Sequence, residues 1–201
     1  MKKFLLLPLV LLSFSVIAKE RVILSAFEYE TADRDHFILS QESSQNGIGV
    51  RLFDFRDSNL YVGSGISYLT GDLDYQLELQ TPRTTVSAEI TNWKSFFEVG
   101  WSFGHWTPFI GASLTGSELK IHGVRDVDES RGFNAGLWFE NETFKLRSAL
   151  TDVDNSDNRE IFGNILFKFG DNYVFGAEGG LLLNDAEDRF SFSFQFGKVF
   201  F

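Results

Sequence analysis

Nine charged side chains stand at alternating positions within stretches that are otherwise apolar or small: Glu28, Glu30, Arg51, Lys94, Glu98, Lys145, Arg147, Lys168 and Glu178. Five are basic and four acidic, so as a set they can nearly neutralise one another. Gathered on one face of a set of strands, they predict an ion-paired interior rather than a reaction centre. The histidines are sparser. His36 follows Asp33 and Asp35, His122 lies ahead of an acidic run, and His105 follows Gly104. A general base needs a positioned partner and substrate, and sequence neighbours supply neither, so no catalytic residue is assigned. Asp152, Asp154, Ser156 and Asn158 alternate like the start of a calcium loop, but Asp157 stands where that loop needs Gly and Gly163 where it needs Glu. Asp126, Asp128 and Glu129, and then Asp185, Glu187 and Asp188, form two further acidic clusters that read as solvated loops. No phosphate-cradling glycine loop, metal-binding His pair or nucleophile elbow is present, so no metal and no cofactor is expected.

Composition narrows the field further. The 201 residues carry a net charge of −10, with 18 basic against 28 acidic groups, which argues against nucleic acid as a partner. The absence of cysteine removes disulfides, thiolate zinc sites, Cys nucleophiles and a lipid-anchoring Cys. A chain that is 43% hydrophobic and 23% charged is not a disordered one, and its length suits a single domain. Lys2 and Lys3, the broken apolar run from Phe4 to Ile17 and the small residue Ala18 have the pattern of a secretory signal. Residues 1–18 are therefore expected to be cleaved, leaving 19–201 as one domain.

The elements that must position the charges have a period of two. Phe190, Phe192, Phe194 and Phe196 alternate with Ser191, Ser193 and Gln195, and similar alternation recurs along the chain. Ten strands are predicted, near 20–31, 46–56, 59–71, 93–104, 107–119, 130–140, 143–152, 159–169, 172–183 and 188–201. Their connections alternate between long polar segments (32–45, 72–92, 120–129, 153–158, 184–187) and tight turns at Asp57-Ser58, Gly104-His105-Trp106, Asn141-Glu142 and Gly170-Asp171. That rhythm, with an even strand number, predicts an all-β fold: an antiparallel up-and-down transmembrane β-barrel of ten strands, with eight as the fallback. A soluble barrel or sandwich also alternates, but its second face is usually rich in Lys and Glu, whereas here that face is rich in Gly, Ser, Asn and Gln. Aromatics also gather at strand ends, Tyr68 and Trp93 at one rim and Trp106, Phe139, Phe144, Phe169, Tyr173 and Phe200 at the other.

The last residues, Phe196-Gly197-Lys198-Val199-Phe200-Phe201, resemble the C-terminal signal by which Gram-negative outer-membrane barrels are handed to their assembly machinery. Trp101-Ser102-Phe103 through Thr107-Pro108-Phe109-Ile110-Gly111-Ala112-Ser113 is similar to the strand, turn and Pro-aromatic-aliphatic-Gly-Ala pattern of small opacity-type barrels. The resemblance implies an outer-membrane location, with Phe196, Gly197, Phe200 and Phe201 as the assembly signal. Its implied partners are barrel-assembly machinery and periplasmic chaperones. Membrane lipid and lipopolysaccharide are expected around a monomer, with weak divalent-ion bridging at the acidic loops as an option. Phe201 departs in parity from Phe190 to Phe200, which a bulge near Gly197 would reconcile. The function expected is structural or surface-interactive, without catalysis, the paired charges closing the lumen so that replacing Arg147 or Glu98 raises conductance. A low-conductance porin and a rim hydrolase or protease are the competing readings.

Overall fold

The computed structural model describes residues 18–36, 39–77, 84–121, 124–184 and 187–201; the expected signal segment lies outside them apart from Ala18. Ten strands follow in order: β1 (Ala18–His36), β2 (Leu39–Arg56), β3 (Leu60–Leu77), β4 (Thr84–Trp101), β5 (Trp106–Ile121), β6 (Val124–Glu140), β7 (Phe144–Thr151), β8 (Glu160–Phe169), β9 (Tyr173–Leu182) and β10 (Asp188–Phe200). Each pairs antiparallel with its sequence neighbours, and β1 pairs with β10, so the sheet closes into an up-and-down barrel. Asn59, Gly104 and Gly170 adopt positive φ in the tight turns at one end, where left-handed backbone lets two residues reverse the chain.

Alternation decides the faces. Phe27, Ile48, Ile110, Phe133 and Phe194 stand exposed on the outside, while Leu24, Phe53, Tyr61 and Trp138 are fully buried inside. Such a continuous exposed apolar face is the reverse of a water-soluble surface. Near the short turns, outward rings form a girdle in which Trp106, Phe139, Phe144, Phe167, Phe175, Phe169 and Tyr173 succeed one another at centroid separations of 4.7 to 6.4 Å.

The segments 32–45, 72–92 and 120–129, expected as loops, are largely strand. β1 continues to His36 and β2 begins at Leu39; β3 and β4 reach Leu77 and Thr84, and β5 and β6 reach Ile121 and Val124. Segments 32–45 and 120–129 carry little hydropathy contrast, and backbone pairing needs none; in 72–92 the contrast is present but runs the other way, with Leu73, Tyr75, Val86, Ala88 and Ile90 at inward positions and Asp72, Asp74, Ser87 and Glu89 outward. Six strands are 16 to 19 residues long, whereas β7, β8 and β9 have 8, 10 and 10. The barrel wall is consequently tall over β1–β6 and low over β7–β9, a difference of roughly 25 Å of strand at about 3.3 Å per residue. On the outside of the tall wall Asp188, Asp33, Glu42 and Asp74 lie directly opposite one another across β10, β1, β2 and β3.

The closing seam is in register throughout, from Arg21 opposite Phe200 to Asp33 opposite Asp188, so there is no bulge at Gly197. Phe196 and Phe200 share the outward face, and Phe201 ends exposed beyond the strand. Gly197 itself is needed for close approach, because an added Cβ would overlap the Ile23 carbonyl oxygen, whereas one at Gly163 would meet nothing within 4 Å. Gly197→Val is expected to lower several-fold the fraction of protein that runs as a compact band when unboiled, and Gly163→Val to leave that fraction unchanged.

Candidate functional site in the barrel lumen

All nine charges singled out above lie on inward-facing positions, sorted into three levels. In the middle level the Arg51 guanidinium donates to Glu178 at 2.6 Å and to Glu28 at 3.0 Å. Arg147 binds Glu98 and reaches Glu178 at 3.5 Å. Tyr61 donates its hydroxyl to Glu98 at 2.8 Å, Asn164 its amide to Glu178 at 3.0 Å, and Ser67 its hydroxyl to Glu28 at 2.7 Å. The chain Glu28, Arg51, Glu178, Arg147, Glu98, Tyr61 thus crosses the lumen using β1, β2, β9, β7, β4 and β3. Glu98 is wholly buried, so its charge is sustained by Arg147 and the Tyr61 hydroxyl rather than by water.

Toward the short-turn end lies a layer of rings rather than the small polar side chains expected of the inner face. Trp138 packs edge-on against Phe53 at 5.0 Å and Phe55 at 5.8 Å, and Tyr61 joins Phe55 at 5.0 Å and Phe109 at 5.8 Å. Glycines make the room: the Phe96 ring lies over Gly65 and the Phe109 ring over Gly136, where a Cβ would collide. The Arg147 guanidinium lies 5.2 Å from the Phe109 centroid, and the Lys145 ammonium 3.9 Å from that of Phe55. The aromatic layer is therefore gripped by cations on both sides.

The remaining charges form separate groups. At the short-turn mouth Lys145 binds Glu140 and lies 3.4 Å from Glu20, which also accepts from Lys168 at 2.8 Å. At the other end Lys94 binds Glu30, while Arg189 meets Glu160 at 3.0 Å and Glu187 at 2.7 Å, and Arg34 also binds Glu187. Glu20, Glu140, Glu160, Arg189, Arg34 and Tyr61 were not singled out from the sequence, and Glu187, expected in a solvated acidic cluster, is instead buried between Arg34 and Arg189. Glu20 and Glu160 already lie within the predicted strands 20–31 and 159–169 and continue the inward parity of Val22 and Phe162, so reading that parity to the strand ends finds both. Glu187 lies in the connection before β10: burial pushes its carboxyl up, but Arg189 and Arg34 outweigh that and hold it below the usual range.

Above the middle level the lumen widens into a cavity of about 470 Å³, whose lining includes Arg51, Arg147, Glu178, Phe96 and Phe162. Asp152, at φ +50 just beyond β7, reaches into it and accepts from the Ser113 hydroxyl at 3.0 Å. Burial pushes the Asp152 carboxyl up, the Ser113 bond opposes that, and neighbouring Asp154 adds to the rise. Among the described residues no group of three His, Cys, Asp or Glu side chains is arranged to hold a metal ion. His105 sits on a short turn with Nδ1 2.8 Å from the Glu140 carbonyl oxygen. His122, Asp185 and the side chains of Asp35 and His36 lie outside the described residues.

Arg147→Leu strands Glu98 and Glu178 without their cation, and is expected to cost about 3–5 kcal/mol, read from the urea midpoint of the folded protein in micelles. Glu98→Gln, which keeps an acceptor for Tyr61, is expected to cost less. For Glu187 the folded pKa lies below the unfolded one, so its contribution is complete above the ordinary carboxylate range and lost as pH falls through the depressed value. Protection factors at the start of β10, taken relative to intrinsic amide exchange at each pH, should fall over that acidic window, and Glu187→Gln should abolish that fall.

No protein-family model matches the sequence, and no curated protein matches it. Solved structures do. The translocator domain of the autotransporter NalP from Neisseria meningitidis superposes with a TM-score of 0.55 at 9% identity, over 93% of this chain and 90% of that one. Ail, the attachment invasion locus protein of Yersinia pestis, gives 0.52 at 9% identity over 92% and 100%. The outer membrane protease OmpT of Escherichia coli gives 0.51 at 8% identity over 90% and 95%. One is an attachment protein, one a translocator domain and one a protease, so what they share with this chain is architecture: the fold is that of the outer-membrane β-barrels of Gram-negative bacteria.

Proposed function

We propose that this protein is an integral outer-membrane barrel whose lumen is shut to steady solute flow, and that it acts through its external wall and vestibule at the cell surface. The observation that carries this reading is the aromatic layer: Trp138 and Tyr61 are fully buried in the lumen, with charged levels locked on either side. The short-turn end, with its ring girdle, faces the periplasm, and the tall wall of β1–β6 projects outward. Lipid and lipopolysaccharide surround the apolar face, and Phe196, Gly197, Phe200 and Phe201 are read by the assembly machinery during insertion into a monomeric barrel. The apolar outer face supports this placement, since charges there would cost about 2–4 kcal/mol at mid-membrane whereas inward ones can pair.

Closure has two components, and this changes the expected effect of single substitutions. Replacing Arg147 or Glu98 alone leaves the rings in place beneath the vacated guanidinium or carboxylate. Wild-type protein in planar bilayers is expected to give no steady conductance, and Arg147→Ala to remain closed. The combination of Arg147→Ala, Tyr61→Ala and Trp138→Ala is expected to conduct. Large, stable channels from the wild type would replace this reading with that of a low-conductance porin.

A further inference from the structure

The cavity above the middle level has a chemistry of its own. Its volume of about 470 Å³ falls within the range of roughly 300–1,000 Å³ typical of small-molecule sites. Every cation that lines it is already engaged inside the barrel: Arg51 by Glu28 and Glu178, Arg147 by Glu98 and Glu178, Lys94 by Glu30, Arg189 by Glu160 and Glu187, Arg34 by Glu187. An anionic ligand would have to displace one of these partners and strand it in a buried setting. The carboxylates of the lining that no cation engages are Asp152, which accepts from Ser113, and Asp128, which is exposed near the start of β6; the other groups left to meet a ligand are neutral.

Two of them are incompletely used. Gln45 and Asn92 line the cavity on β2 and β4, with 2% and 9% of their surface exposed, and Gln45 Oε1 and Asn92 Oδ1 accept no hydrogen bond among the described residues. Buried amides of this kind are completed by a partner that supplies hydroxyl donors. Around them the wall is rich in hydroxyls, including Ser43, Thr115 and Ser130. Phe96 and Phe162 line the same space and provide apolar surface. Apolar surface combined with amides and hydroxyls matches a sugar ring, whose C–H face is apolar and whose edge both donates and accepts hydrogen bonds.

We infer that the vestibule binds an uncharged saccharide of one or two sugar units, seated against Phe96 and Phe162 and bonded by Gln45 and Asn92. This rests on the reading of the vestibule as externally open above a shut lumen. The test is calorimetric titration of the mature protein, folded in detergent, with maltose, sucrose, trehalose and lactose, and with glucuronic acid as the charged comparison. Saturable binding of at least one of the four disaccharides is expected, weakened tenfold or more by Gln45→Leu and by Asn92→Leu in protein that keeps its compact unboiled band. Tighter binding of glucuronic acid, no saturable binding of any of the four, or undiminished binding by both folded variants would overturn the inference. Steady channels in the wild type would instead sink the shut-lumen reading, and a titration without binding in a non-conducting protein leaves that reading standing.

Discussion

The pairing of β1 with β10 is the constraint from which the rest of the barrel follows, because a sheet of ten strands that failed to close would leave two edges of unpaired N–H and C=O groups. Closure fixes a narrow lumen, and a narrow lumen must be filled. Rings fill it near the short turns, opposite glycines that leave them space, and ion pairs fill it beyond them. Arg147 belongs to both fillings, bound to Glu98 and Glu178 and lying over Phe109. That position makes the charged and aromatic levels one packed body.

How much of this could be read in advance depends on where hydropathy contrast exists. The lower parts of the strands carry large apolar residues on one face and small or polar ones on the other, so Phe190 to Phe196 or Phe133 to Phe139 declare themselves as strand. The upper part of β2 is polar on both faces, and nothing in segments such as Ser40 to Gln45 separates a paired strand from a loop; in upper β3 and β4 a period of two is present in Leu73 and Tyr75 and in Val86, Ala88 and Ile90, but there the apolar residues take the inward face and acidic ones the outward face. Tight turns were legible because Gly104 and Gly170 are required by positive φ.

The lumen was legible by face and illegible by partner. Parity alone puts Arg51, Arg147 and Glu178 on inward positions, but which carboxylate meets which guanidinium depends on the stagger between strands that are not neighbours. Arg51 and Glu178 come from β2 and β9, and Arg147 and Glu98 from β7 and β4. The aromatic layer was partly hidden for another reason. Trp138 and Phe53 occur at inward parity, Trp138 two positions from Gly136 and Phe53 between Arg51 and Phe55, but their convergence with Tyr61 and Phe109 arises only when the sheet curves shut.

The sequence separations of the luminal ion pairs have a kinetic meaning. Arg51 and Glu178 are 127 residues apart, Lys168 and Glu20 148, and Arg34 and Glu187 153. Hairpins between neighbouring strands can form early from local contacts, whereas these pairs must wait until the last strand has met the first. Interactions made only after the rate-limiting step do little to hasten assembly and much to retard its reversal. The buried charges thus act on the lifetime of the finished barrel more than on the speed with which it is built, an arrangement suited to a protein that is inserted once and then left without repair.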